Sequence, residues 1–218
     1  MKTVKILQHP TIAISLVCML LLAIRVYWCK IAQTAPDESP FYIPFLFLAW
    51  NLCLAWIPWQ ISLQLSNAGT RVFWLGFIVW LLFLPNAPYL VTDLMHLRHR
   101  APIPLWYDAL LFFLFAVGGW ALGCFSLVQM DVNLRQHISA AGTRSVLFAA
   151  ILLSGLGIYI GRFRRWNSWD ALLRPDDLLT DLVHSFMQGP ILFEALFFSG
   201  LMAALLGLSY WVARSANY

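Results

Sequence analysis

The sequence predicts an all-α, polytopic helical membrane protein with about six transmembrane helices, and three observations predict it. Of 218 residues, 61% are hydrophobic and 11% charged, and the mean hydropathy of +0.74 is far too apolar for a soluble domain of this size. Apolar windows centred near residues 20, 52, 78, 117, 153 and 202 are each long enough, or nearly so, to span. The third window is interrupted by Pro85-Asn86-Ala87-Pro88. Prolines lack N–H groups, so in a continuing helix the carbonyls of Leu81 and Leu84 lose their partners. Asn86 and Tyr89 are the nearest groups able to repair that loss. From Arg71 to Leu84 is 14 residues, about 21 Å of helix at 1.5 Å per residue, short of a hydrocarbon core of about 30 Å. The break therefore falls at membrane depth.

The whole chain, residues 1–218, reads as one integral membrane domain. A formal net charge of +4 raises the question of nucleic acid, but the 14 basic residues scatter over helix ends and loops instead of forming a stripe. Nucleic acid is excluded as a partner, and bilayer phosphates are the expected counter-charges. Cys18, Cys29, Cys53 and Cys124 lack ligand-like spacing, so neither a disulfide framework nor a metal site is signalled. No cofactor motif is present. Lys2 and Lys5 before an apolar run mimic a signal peptide, but no small-x-small cleavage site follows.

Helix 1 is expected over residues 11–29, with Arg25 reaching the interface along its own stem beside Tyr27 and Trp28. The stretch 30–40 reads as an exposed loop. Helix 2, over 41–65, carries Asn51, an amide that is costly to leave unpaired in hydrocarbon and so faces other helices. Helix 3, over 71–90, contains the break, and its tail places Asp93 and His96 at i, i+3 on one face. Helix 4, over 104–128, opens with Trp106-Tyr107-Asp108, where an acid near the positive helix end is favourable; it leaves the membrane at 129–133. Gly119 and Gly123 form a small-xxx-small face on this helix, and Gly157 and Gly161 repeat it on helix 5, over 145–162. That helix ends in Arg162, Arg164, Arg165, Trp166, Asn167, Ser168 and Asp170, the densest polar and aromatic cluster in the chain. Pro175, Asp176 and Asp177 start an amphipathic interfacial helix over 174–187. Helix 6 takes residues 190–213.

With six spans the connections after helices 1, 3 and 5 share a side, which gathers Asp93, His96, Asp108, Arg162, Arg165, Asn167 and Asp170 at one membrane face. Basic residues do not separate the faces, six standing on the terminal side against seven on the other. Setting aside Arg162, Arg164 and Arg165 as site residues leaves six against four and places the termini in the cytoplasm.

Four motifs resemble a known family in the same order. They are Trp50-Asn51 with Ala55-Trp56-Ile57-Pro58; Leu84-Pro85-Asn86-Ala87-Pro88-Tyr89 with Thr92-Asp93-Leu94 and His96-Leu97; Trp106-Tyr107-Asp108; and Gly161-Arg162 with Arg165-Trp166-Asn167-Ser168-Trp169-Asp170. They are similar to a bacterial membrane-protein family catalogued as domain of unknown function 1361, from about Phe41 to the end of helix 6. The resemblance implies a multi-pass protein of the bacterial cytoplasmic membrane and supplies no activity.

Three functions are compatible with these residues. Arg162 and Arg165 can pair with phosphate beside a broken helix, which suggests binding or translocation of an anionic amphiphile, such as a phospholipid or lipid-linked precursor, with Asn51, Asn86, Tyr89, Tyr107 and Asn167 as further contacts. Alternatively, His96 with Asp93, Asp108 or Asp170 performs acid–base catalysis at headgroup level. The third function is a scaffold whose polar cluster ties helices 3, 4 and 5 together. If one site exists, Asp93 meets Arg162 or Arg165.

Overall fold

The computed structural model describes residues 2–31 and 45–215, with side chains from Pro10 onward. Nine α-helices follow in order among these residues: α1 (Lys2–Ile31), α2 (Leu46–Gln64), α3 (Thr70–Phe83), α4 (Asn86–Tyr89), α5 (Leu105–Leu134), α6 (Ala140–Phe163), α7 (Asp170–Leu173), α8 (Pro175–Phe186) and α9 (Gly189–Ser215). Among the described residues the only bridge pairing is Arg100 with Ile103. Six helical segments are long and apolar enough to cross a membrane: Pro10–Ile31, Leu46–Asn67, Thr70–His96, Leu105–Leu134, Ala140–Phe163 and Gly189–Ser215. The expected loop over 30–40 and the first residues of helix 2 fall largely outside the described residues.

Helix α5 is the axis of the bundle, packing against α1, α2, α4 and α9. One core joins Cys18 and Leu22 of α1 to Leu48, Leu52 and Trp59 of α2 and to Leu111, Phe112 and Phe115 of α5. A second joins Phe73 and Trp80 of α3 to Leu127 and Met130 of α5, Leu147 of α6 and Leu206 of α9. Lipid tails are as apolar as these side chains, so close packing and interhelical hydrogen bonds hold the helices together. Indole N–H groups supply several such bonds: Trp56 donates to Ser15 at 3.0 Å, Trp80 to Ser126 at 2.7 Å and Trp120 to Ser209 at 3.0 Å.

The third span is interrupted where the prolines require it, but the chain does not unwind. Leu84 and Pro85 form a turn with right-handed helical dihedrals on both sides, α4 follows, and residues Leu90–His96 tighten into a 3-10 helix. The backbone repairs itself locally: the Ala87 N–H donates to the Leu84 carbonyl at 3.3 Å, and the Asn86 side-chain amide donates to the Phe83 carbonyl at 3.0 Å. Neighbouring helices make room. A Cβ on Gly119 of α5 would lie 2.5 Å from the Ala87 carbonyl oxygen, and one on Gly157 of α6 would lie 2.6 Å from the Pro85 ring. The small-xxx-small faces of α5 and α6 therefore both pack against the break, Gly123 next to Pro88 and Gly161 next to Tyr89.

Three boundaries differ by several residues from expectation, the first being α1, which begins at Lys2 instead of residue 11. Helix α5 continues to Leu134, beyond the exit expected at 129–133, because Gln129, Asp131 and Asn133 are buried and bonded within the bundle. Helix α6 begins at Ala140, where the Ser139 side chain accepts from the Gly142 N–H at 3.2 Å and caps the helix.

Candidate functional site

The 3-10 winding after the proline break sets the geometry of the polar cluster. Residues i and i+3 eclipse in a 3-10 helix, so Asp93 and His96 stack on one side and meet the same guanidinium. Arg162, at the C-terminal end of α6, pairs with Asp93 Oδ1 through Nη2, donates from Nε to the Thr92 hydroxyl at 2.7 Å and lies 2.9 Å from His96 Nε2 through Nη1. A guanidinium only donates, so His96 Nε2 is the accepting nitrogen and the imidazole proton lies on Nδ1. The guanidinium also sits 4.3 Å from the Tyr89 ring centroid, and Asn51 donates to Asp93 Oδ2 at 2.8 Å. Asp93 is 1% exposed, so Arg162 and Asn51, rather than water, satisfy its carboxyl oxygens.

Arg25 is not the interfacial anchor expected of it. It is 1% exposed, donates to both oxygens of Asp108 at 2.7 and 3.1 Å and lies 3.7 Å over the Phe45 ring. Asp108 is thus the buried half of a forked ion pair and does more than complement a helix end. Tyr107, expected to contact ligand, instead donates from its hydroxyl to the Leu21 carbonyl at 2.7 Å, pinning α5 to α1. Arg165 is exposed with a φ of 60° and takes no part in the Asp93 pair. Asp170 pairs with Arg174 at 2.8 Å and accepts from the Asn167 backbone N–H at 2.8 Å, closing the turn before α7.

Beside the Arg162 cluster lies a cavity of about 430 Å³, within the usual range for ligand sites of about 300–1,000 Å³. Its apolar wall includes Leu54, Ile78, Leu81, Leu82, Leu153 and Ile160, and its polar end is formed by Asn51, Asn86, Tyr89, Asn167 and Ser168. Trp50, Ile78 and Leu153 are each more than half exposed on outer helix faces, so the cavity opens sideways. Trp166, Ala171 and Leu172 from the α6–α8 connection and Leu178 of α8 cover it. That cover is latched: Arg164 forks onto Asp181 of α8, and the Trp166 indole donates to Asp181 Oδ2 at 2.9 Å. These donors hold the Asp181 carboxyl below the usual carboxylate range, the Arg164 hydrogen bond first among them. Asn86 ties cover to break, donating to the Ser168 hydroxyl at 2.9 Å.

Of the expected ligand contacts, Asn51, Asn86, Tyr89 and Asn167 line the cavity, whereas Arg162, Arg165 and Tyr107 do not. None of Asp93, His96, Asp108 and Asp170 lines it. A second polar cluster escaped the sequence reading altogether. Asp131 pairs with Arg135 at 2.8 Å and Arg214 at 3.2 Å, while Gln129 and Asn133 bond each other and reach Ser66 and the Ser62 carbonyl. The signal was available, since six spans put the C-terminal ends of helices 2, 4 and 6 close to one face.

No curated protein and no solved structure matches the chain. A family model described as "Protein of unknown function (DUF1361)" matches residues 50–205, a stretch that contains the proline break, the Arg162 cluster, the cavity and its cover. The match takes in well over half of the chain, which is therefore a member of the DUF1361 family.

Proposed function

We propose that this protein forms one membrane domain that binds, or carries between leaflets, an amphiphile of the bilayer. The cavity between α2, α3 and α6 supports this reading, because an apolar wall open to the side and a polar end at the break suit a molecule that arrives through the bilayer. The tail lies along Ile78, Leu82 and Leu153, and the head meets the carboxamides under the α6–α8 cover. Exposed Arg98 and Arg165 meet anionic headgroups of the surrounding bilayer as anchors. The family resemblance favours a bacterial cytoplasmic membrane, and with Arg165 counted as an anchor and only Arg162 and Arg164 set aside, basic residues stand six against five, which favours cytoplasmic termini by one residue.

Native mass spectrometry of the purified protein tests this. A co-purifying amphiphile is expected on the wild type and on Phe148→Trp, whose position is on an outer face of α6. It is expected to be lost from Leu82→Trp, which fills the cavity. Equal retention by both variants removes the cavity as the binding site.

A further inference from the structure

We infer that the head bound at the polar end of the cavity is neutral and hydroxyl-bearing, as in a glycosylated or polyol lipid, and that it is not a phosphate. This rests on the amphiphile reading above and names the class of head. The observations behind it are the orientation of three carboxamides and a lining that, among the described residues, holds no charged side chain.

A carboxamide offers a nitrogen with two donors and an oxygen that accepts. Asn51 turns its nitrogen to Asp93 Oδ2 at 2.8 Å. Asn86 turns its nitrogen to the Phe83 carbonyl at 3.0 Å and to Ser168 Oγ at 2.9 Å. Asn167 turns its nitrogen to Asp170 Oδ2 at 3.2 Å. Ionised carboxylates and backbone carbonyls only accept, so each partner dictates which end of the amide faces it. All three side chains keep Oδ1 for a ligand, since among the described residues no hydrogen bond reaches any of these oxygens, and Asn51 and Asn167 each keep one amide N–H as well.

Among the described residues no cation lines the cavity. The Trp166 indole serves Asp181, and the Arg162 guanidinium serves Asp93 and Thr92 outside the lining. A phosphate placed here would give up water for neutral amides and hydroxyls with no cation beside it, which is unfavourable for an anion. A cationic head suits the oxygens better, but among the described residues no carboxylate lines the cavity to replace its hydration. Hydroxyl groups satisfy the site in both directions, donating to the amide oxygens and accepting from the Ser168 hydroxyl.

The test uses the full-length protein in an amine-oxide detergent, titrated with decyl glucoside, decyl phosphate and decyltrimethylammonium, with binding read by native mass spectrometry. Decyl glucoside is expected to bind about tenfold more tightly than either charged probe. Asn167→Ala is expected to weaken the glucoside about tenfold and leave the phosphate unchanged. This variant keeps its fold because Asp170 retains the residue-167 backbone N–H and Arg174, as a melting curve will verify. Phosphate or ammonium binding as tightly as glucoside in the wild type overturns the inference about the head while leaving the amphiphile reading in place. An unchanged glucoside affinity in a folded Asn167→Ala overturns it as well. If no probe binds, or if Leu82→Trp binds all three as the wild type does, the amphiphile reading itself falls.

Discussion

Arg162 and Asp93, 69 positions apart in sequence, form an ion pair whose side chains are 10% and 2% exposed. The pair joins the end of α6 to the 3-10 turn that completes the third span. Removing one member of a buried pair strands the other charge and costs about 3–5 kcal/mol. Asp93→Ala is therefore expected to be destabilised by about that amount, with partial recovery in the double variant Asp93→Ala/Arg162→Met. Unfolding by denaturing detergent in mixed micelles measures both, and an Asp93→Ala midpoint equal to the wild type would show that the pair does not hold the cluster.

Arg25 and Asp108 make a parallel case on the other flank of α5. Both side chains are 1% exposed, and the pair is forked. Arg25→Met is expected to cost about 3–5 kcal/mol and to loosen α1 first, because Tyr107 and Arg25 both bind α1 to α5. Faster hydrogen exchange confined to α1 is the expected signature, and uniform exchange across all helices would contradict it.

Parity of the spans puts Asp93 at one face with Arg162 and Arg165, so the sequence narrows its partner to those two, and the structure selects Arg162. The same parity argument reaches Arg25 and Asp108, but an arginine so near a helix end reads as an anchor unless its partner is sought. Arg25 lies six residues before the end of α1, and only the packing of α5 and Phe45 around it decides that it is buried. The proline break was legible in position but not in shape. Steric room for continued helical winding comes from Gly119 and Gly157 on two other helices, a relation between segments far apart in sequence. The cavity was hidden for the same reason, since α2, α3, α6 and the α6–α8 connection each contribute part of its lining.

Glycine substitutions should sort by what they face. Gly119→Ala drives a methyl group into the Ala87 carbonyl, a backbone atom that cannot swing away. Gly200→Ala meets nothing within 4 Å, and replacing a helical glycine by alanine is worth roughly 0.5–1 kcal/mol in its favour. Gly119→Ala is expected to lower the melting temperature and Gly200→Ala to hold or raise it. The reverse order would show that the break is not gripped by α5.

The latch on the cavity cover has a defined pH window. Asp181 titrates below the usual range because Arg164 donates to its charged form. A group with a depressed folded pKa stabilises fully above its unfolded value of about 3.9 and loses that contribution as pH falls through the folded value. In a His184→Gln background, which removes the nearby imidazole, the exposure of the α6–α8 connection to limited proteolysis is expected to stay constant between about pH 5 and 8. Asp181→Asn is expected to raise cleavage across that whole range. Cleavage unaffected by Asp181→Asn would mean that Arg164 and Trp166 do not hold the cover shut.

The most direct measurement of the central claim, that the α2–α3–α6 cavity takes an amphiphile, is photo-crosslinking inside the native membrane. A benzophenone amino acid at Leu82 lies in the cavity wall, and one at Phe148 lies on the outer face of α6. Mass spectrometry of the adducts is expected to show one amphiphile class enriched at position 82 over its share of the bulk lipid, with bulk composition at position 148. Bulk composition at both positions would contradict the account, because the cavity would then be a lipid-filled gap between helices and not a binding site.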